Sequence, residues 1–187
     1  MQEKDPMNRN IILPIIAAVV LLTSSNQASA QLSDDAFAQM RGLAGEWSGT
    51  LHVEQGEHLA RLGVNAEQAL TLNYSVRSGG SSILEESNSD GIEMLTIYNT
   101  QTGDLLTTHY CILMNKPVGV LDSSTDGVLS FTTDPARSGL EEGKDEYVSW
   151  WRLDLEPGNP NQFTYEYGVK KPDLTEWSAK AVVTRVN

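Results

Sequence analysis

Residues 104–117, DLLTTHYCILMNKP, concentrate the side chains that could do chemistry. They hold the only cysteine, Cys111, and one of three histidines, His109, two positions apart. Three chemistries suit such a pair. The first is a metal centre, since imidazole nitrogen and thiolate sulfur are common zinc ligands. Zinc takes three or four ligands, and only His52 or Glu85 could be added to these two. No second cluster has the right spacing, so no metal is expected. The second is a nucleophilic thiol activated by the imidazole, which needs the two groups to point at each other and an orienting partner. Residues two apart on a strand are parallel instead, with Cβ atoms roughly 6–7 Å apart. The third is a buried histidine beside a packed thiol. That reading is favoured, and it leaves His109 free to serve as a hydrogen-bond partner in an apolar pocket.

On a strand over 105–114, Leu105, Thr107, His109, Cys111 and Leu113 share one face. Leu106, Thr108, Tyr110, Ile112 and Met114 share the other. Both faces are largely apolar, which predicts a central, buried strand. A one-residue shift in register reverses which face points inward, so that choice stays open.

The elements that position this stretch are mostly strands. Alternating runs cover 46–54, 68–78, 81–87, 91–99, 105–114, 119–124, 128–133, 146–156, 161–171 and 175–186. Gly79-Gly80, Thr102-Gly103-Asp104 and Asp126-Gly127 supply turns. A polar loop spans 134–145, and a helical turn is expected over 56–63. Ahead of the strands, 33–43 reads as a short helix, with Ser33 as N-cap and Phe37, Met40 and Leu43 on one face. About ten strands joined by short turns predict an all-β, antiparallel up-and-down barrel with a short N-terminal helix.

Along those strands, Phe163, Tyr165, Tyr167 and Val169 fall on one face. Tyr147, Ser149, Trp151, Leu153 and Leu155 do the same. With Tyr74, Tyr98, Thr107, His109 and Cys111 they predict an interior lined by aromatic groups with polar tips. Within that set, Tyr74, Tyr98, Thr107, His109, Cys111, Trp151, Tyr165 and Tyr167 are the candidate ligand-binding residues. Trp150 is expected on the opposite face, under the helix. Glu85-Glu86 and Glu141-Glu142 are expected in solvent, as are His52 and His58 beside Glu54 and Glu57.

Residues 1–30 read as a targeting segment. Met7-Asn8-Arg9-Asn10 gives a positively charged start, Ile11–Thr23 an apolar run, and Ala28-Ser29-Ala30 a cleavage signal. Translation is expected to start at Met7, and residues 31–187 to form a single domain in the bacterial periplasm. The charged residues of 1–30 cancel, so the net charge of -12 belongs to 31–187. Such a domain is repelled by phosphate backbones, which disfavours nucleic acid as a partner. No phosphate-binding loop or dinucleotide fingerprint is present.

Gly45-Glu46-Trp47 opens the first strand just after the helix, with Gly49 two residues on. This resembles the G-x-W signature of the lipocalin-like, or calycin, superfamily of small antiparallel barrels. The resemblance implies that Trp47 closes the barrel base and stacks on a basic residue near the chain end, a role Arg185 matches by position. The strand count, and His109-Tyr110-Cys111 with Asn115 and Pro117, are similar to exported bacterial barrels of nitrobindin or fatty-acid-binding-protein type. Nitrobindins bind haem through a histidine near the C-terminal strands. No histidine follows His109 here, so haem lacks its ligand and no cofactor is expected. The expected function is binding of a small apolar or amphipathic molecule, with no reaction assigned. The alternative is a non-catalytic structural or interaction protein with a solid core.

Overall fold

The computed structural model describes residues 28–54, 64–156 and 158–186. A helix, α1 (28–41), leads into ten strands. They are β1 (Gly45–Val53), β2 (Glu67–Arg77), β3 (Ser82–Ser89), β4 (Ile92–Gln101) and β5 (Asp104–Tyr110), then β6 (Val118–Thr125), β7 (Val128–Thr133), β8 (Tyr147–Asp154), β9 (Gln162–Lys170) and β10 (Glu176–Arg185). A four-residue helix, α2 (Pro135–Ser138), sits in the expected polar loop. Each strand pairs antiparallel with the next, and β10 returns to β1, so the sheet closes into a ten-stranded barrel. Closure leaves no free strand edge. The expected turn at 56–63 lies outside the described residues.

The short hairpins follow from their turn residues. Asp126 and Gly127 both adopt positive φ (52° and 85°), which matches the right-handed twist of the flanking strands. Thr102-Gly103 repeats the pattern between β4 and β5.

The helix closes one end. It is already helical at 28, so Ser33 lies inside it and is not an N-cap. Its Oγ instead accepts the backbone N–H of Leu105 (3.1 Å). Pairing of β5 with β6 reaches only Leu106, so Leu105 needs another partner for its buried amide. Ala36, Phe37, Met40 and Leu43 are buried against the barrel floor. Trp47 sits there with its ring edge-on to Phe163, centroids 4.8 Å apart. The Arg185 guanidinium lies 4.2 Å over the Trp47 ring, a cation–π pair. Trp47 Nε1 donates to the Leu43 carbonyl, and Arg185 donates to the carbonyls of Gly42 and Ala44. Indole and guanidinium together satisfy the chain end that leaves α1.

Three strand expectations need correction. The strand expected over 105–114 ends at Tyr110. Cys111–Asn115 instead forms a turn, in which Met114 N–H donates to Cys111 O and Cys111 N–H to Asn115 O. Tyr110, Ile112 and Met114 are therefore exposed, not buried. On β8 the register shifts between Val148 and Trp150. This bulge brings Val148 onto the inner face in place of Tyr147 and Ser149. Trp150 does not lie under the helix: it rests over Gly168 and donates to Glu176 at the far end of the barrel.

Candidate ligand cavity

The barrel interior has two halves. Next to α1 it is solid, filled by Trp47, Leu72, Tyr74, Ile83, Tyr98, Leu105, Leu129, Phe131 and Phe163. Toward the other end it is hollow. A cavity of about 300 Å³ is walled mainly by Val53, Met94, Val148, Trp151, Tyr165, Tyr167, Val169 and Trp177. Its lining also includes His109, Cys111, Leu113, Gln68, Ser89 and, at the rim, Ile92, Ile112 and Glu146. A wider groove of about 450 Å³ crosses the outer face of β1–β4, but Glu46, Glu86 and Glu93 line it. The interior cavity is the more apolar of the two and opens at the end away from α1, which is the usual setting for small-molecule binding.

The odd-numbered face of β5 points inward: Leu105, Thr107 and His109 are buried. Five of the sequence candidates, His109, Cys111, Trp151, Tyr165 and Tyr167, meet at the cavity. Tyr74, Tyr98 and Thr107 do not border it. They lie in the solid half, because the aromatic layer around Phe131 and Phe163 fills the barrel at their level. Thr107 Oγ1 accepts the Gly119 N–H (3.2 Å) instead. A side chain at 119 would collide with that hydroxyl and with the Trp151 ring, so glycine is what lets the indole lie flat on the wall.

Between the halves lies a polar layer that sequence reasoning missed. Glu85, expected in solvent, is fully buried. Register explains the arrangement. Tyr74 on β2 faces Glu85 on β3, Glu85 faces Thr96 on β4, and Thr96 faces His109 on β5. One cross-strand row thus carries all four side chains inward. Glu85 Oε2 accepts from the hydroxyls of Tyr74 (2.8 Å) and Tyr98 (2.6 Å). Oε1 accepts from Tyr165 (3.2 Å) and Thr96 (3.4 Å). Thr96 Oγ1 lies 2.9 Å from His109 Nδ1, and the imidazole stands edge-on to Trp151. The only signal in the sequence is phase: Glu85 alternates with Ile83, Ser87 and Ser89, all buried.

Burial sets the electrostatics. It lowers the His109 pKa from 6.5 to about 4, so the ring is neutral near pH 7. It raises that of Glu85, against the pull of four hydroxyl donors. Burial first, and the Glu85 charge second, push the phenols of Tyr74 and Tyr165 well above their ordinary range, and likewise Tyr98. Burial also raises the Cys111 thiol, the opposite of what a nucleophilic thiolate requires. Among the described residues no group of three or more His, Cys, Asp or Glu could hold a metal ion. His52 is exposed beside Glu67, while His58 and Glu57 lie outside the described residues. No described helix is long and apolar enough to cross a membrane.

No family model matches the sequence, and no curated protein does. A solved structure shares the fold. A protein of unknown function from the DUF3598 family of Nostoc punctiforme PCC 73102 superposes with a TM-score of 0.54 at 9% identity over 79% of this chain. This chain spans about half, 48%, of that protein's length. EF1p2_mFAP2b bound to DFHBI matches with a TM-score of 0.37 at 12% identity, over 79% of this chain and 96% of its own. A redesigned β barrel matches with a TM-score of 0.35 at 15% identity, over 79% of this chain and 94% of its own.

Proposed function

We propose that this protein is an exported, calycin-like barrel that binds a small apolar or amphipathic molecule in its open half, with no reaction assigned to it. The observation that carries this reading is the apolar interior cavity of about 300 Å³, floored by a single polar layer at His109. Apolar walls supply affinity by burial, and one polar group fixes orientation. The G-x-W resemblance and the Trp47–Arg185 stack at the closed end support the calycin assignment. The targeting segment supports export to the periplasm. The acidic charge of -12 argues against nucleic acid as a partner. A solid-core structural role accounts for the half next to α1 but not for the hollow half.

The reading is tested with N-phenyl-1-naphthylamine, an uncharged probe whose emission rises in apolar surroundings. Its fluorescence should increase saturably on adding the protein, with quenching of the Trp151 and Trp177 emission. Cys111→Trp fills the mouth of the cavity and should weaken binding at least about tenfold, the loss of roughly 1.4 kcal/mol. A response equal in wild type and variant would place the probe elsewhere and count against the cavity.

A further inference from the structure

Inside its rim the cavity wall carries no charge. Among the described residues neither lysine nor arginine lines it, and its one carboxylate, Glu146, stands at the rim. The other ionisable groups that line it are uncharged near pH 7, because burial lowers the His109 pKa and raises those of Cys111, Tyr165 and Tyr167. Its polar atoms are neutral too. Gln68 and Ser89 are hydrogen-bonded to each other, and Tyr165 to Glu85. The Tyr167 hydroxyl, the Trp177 N–H and one nitrogen of His109 have no partner among the described residues. The layer beneath shows how little neutral groups do for a charge in this interior. Four hydroxyls converge on Glu85, and burial still raises its pKa. Neutral donors alone do not offset the removal of a carboxylate from water here.

From this wall we infer that the cavity selects compact, uncharged, ring-bearing molecules with one or two polar groups, and rejects carboxylates, fatty acids among them. That ligand class rests on the binding function proposed above and narrows it. Size points the same way. A cavity of about 300 Å³ lies at the small end of the range for ligand sites, with room for about ten waters at roughly 30 Å³ each. Four rings line it, from Trp151, Tyr165, Tyr167 and Trp177, and Tyr167 stands edge-on to both Tyr165 and Trp177. Their faces and edges suit a flat guest. A hydroxyl or an amide on that guest meets the unpartnered atoms whichever way the hydrogen bond runs, since each group both donates and accepts. A carboxylate inside would meet no cation among the described residues, and one held at the mouth would face Glu146.

Calorimetric titration near neutral pH tests this with 2-naphthamide, 2-naphthoate and dodecanoate. The first two share a ring and an outline and differ in charge. The amide should bind at least about tenfold tighter than either carboxylate. That preference should persist at about 1 M salt, where screening acts within about 3 Å, because it comes from the charge-free wall and not from the acidic outer surface. Met94→Lys, at a half-buried lining position, puts a cation on the wall and should raise naphthoate affinity at least about tenfold, with amide binding reporting that the variant is folded. Equal or tighter binding of either carboxylate in wild type, a preference that vanishes in salt, or no gain for naphthoate in folded Met94→Lys overturns the inference and leaves the binding function standing. No binding of any of the three, together with no response to N-phenyl-1-naphthylamine, overturns the binding function and the ligand class with it.

Discussion

Glu85→Leu is expected to cost at least about 4 kcal/mol, a large share of a total stability in the usual range of about 5–15 kcal/mol. The carboxyl is the shared acceptor for Tyr74, Tyr98, Tyr165 and Thr96, all deeply buried. An apolar side chain at 85 leaves those hydroxyls without a partner, at about 1–3 kcal/mol each. The losses are not additive, because the desolvation cost of the carboxyl disappears as well. That offset yields a second expectation. In Glu85→Leu combined with Tyr74→Phe, Tyr98→Phe and Tyr165→Phe, donors and acceptor vanish together, and most of the stability should return. Urea unfolding of the three proteins measures both effects. A loss under about 1 kcal/mol in the single variant would mean that the hydroxyls find other acceptors.

Acidification should destabilise the fold through His109. Its pKa is about 4 in the folded chain and near 6.5 when unfolded. Between those values the unfolded chain binds a proton that the folded one refuses, so stability falls as pH drops through this window. The contribution is fully present above pH 6.5 and is gone below about 4, a span of about 3 kcal/mol. Glu85 works in the opposite sense. Its raised pKa makes the folded chain hold a proton that the unfolded one has released, so its contribution is lost as pH rises through the folded value. The two are separated by comparing wild type with His109→Gln. The difference in unfolding free energy between them should shrink by about 3 kcal/mol from pH 7 to pH 4. A difference that stays constant over that range would show that His109 is not held neutral by burial.

Much of the barrel was legible because alternation is a strong signal. Ten strands, their order and the tight turns at Thr102-Gly103 and Asp126-Gly127 follow from period two and turn chemistry. Strand ends and phase were harder. The run 105–114 is apolar throughout, so periodicity gave no reason to stop at Tyr110. The chain turns there because Cys111 and Asn115 pair across a loop, with Met114 at positive φ. The bulge at Ser149 changes phase inside β8 with no glycine to announce it.

The site was half legible. Aromatic alternation on β9 led to Tyr165 and Tyr167, and the His109–Cys111 pair lies at the cavity. Glu85 was missed because an acidic residue on a strand is normally solvated, and both faces of SILEESNS are mixed. Its burial depends on three phenols contributed by β2, β4 and β9, one of them 80 residues away in the chain. A local pattern cannot report such a meeting.

The seam between β5 and β6 has the fewest register pairs of any in the closed ring. A closed ring opens only by parting two neighbours, and the shortest join yields at least cost. Here that join consists of the register pairs Leu106↔Val120, Thr107↔Gly119 and Thr108↔Val118, flanked by the single bond from His109 N–H to Pro117 O. Unzipping it swings the wall that carries His109 and the Cys111–Asn115 turn away from Trp151. The backbone amides of these pairs should therefore exchange with solvent ahead of those at the other seams. The helix-capped end lies across the barrel from this seam's loop and is anchored by Trp47 and Arg185.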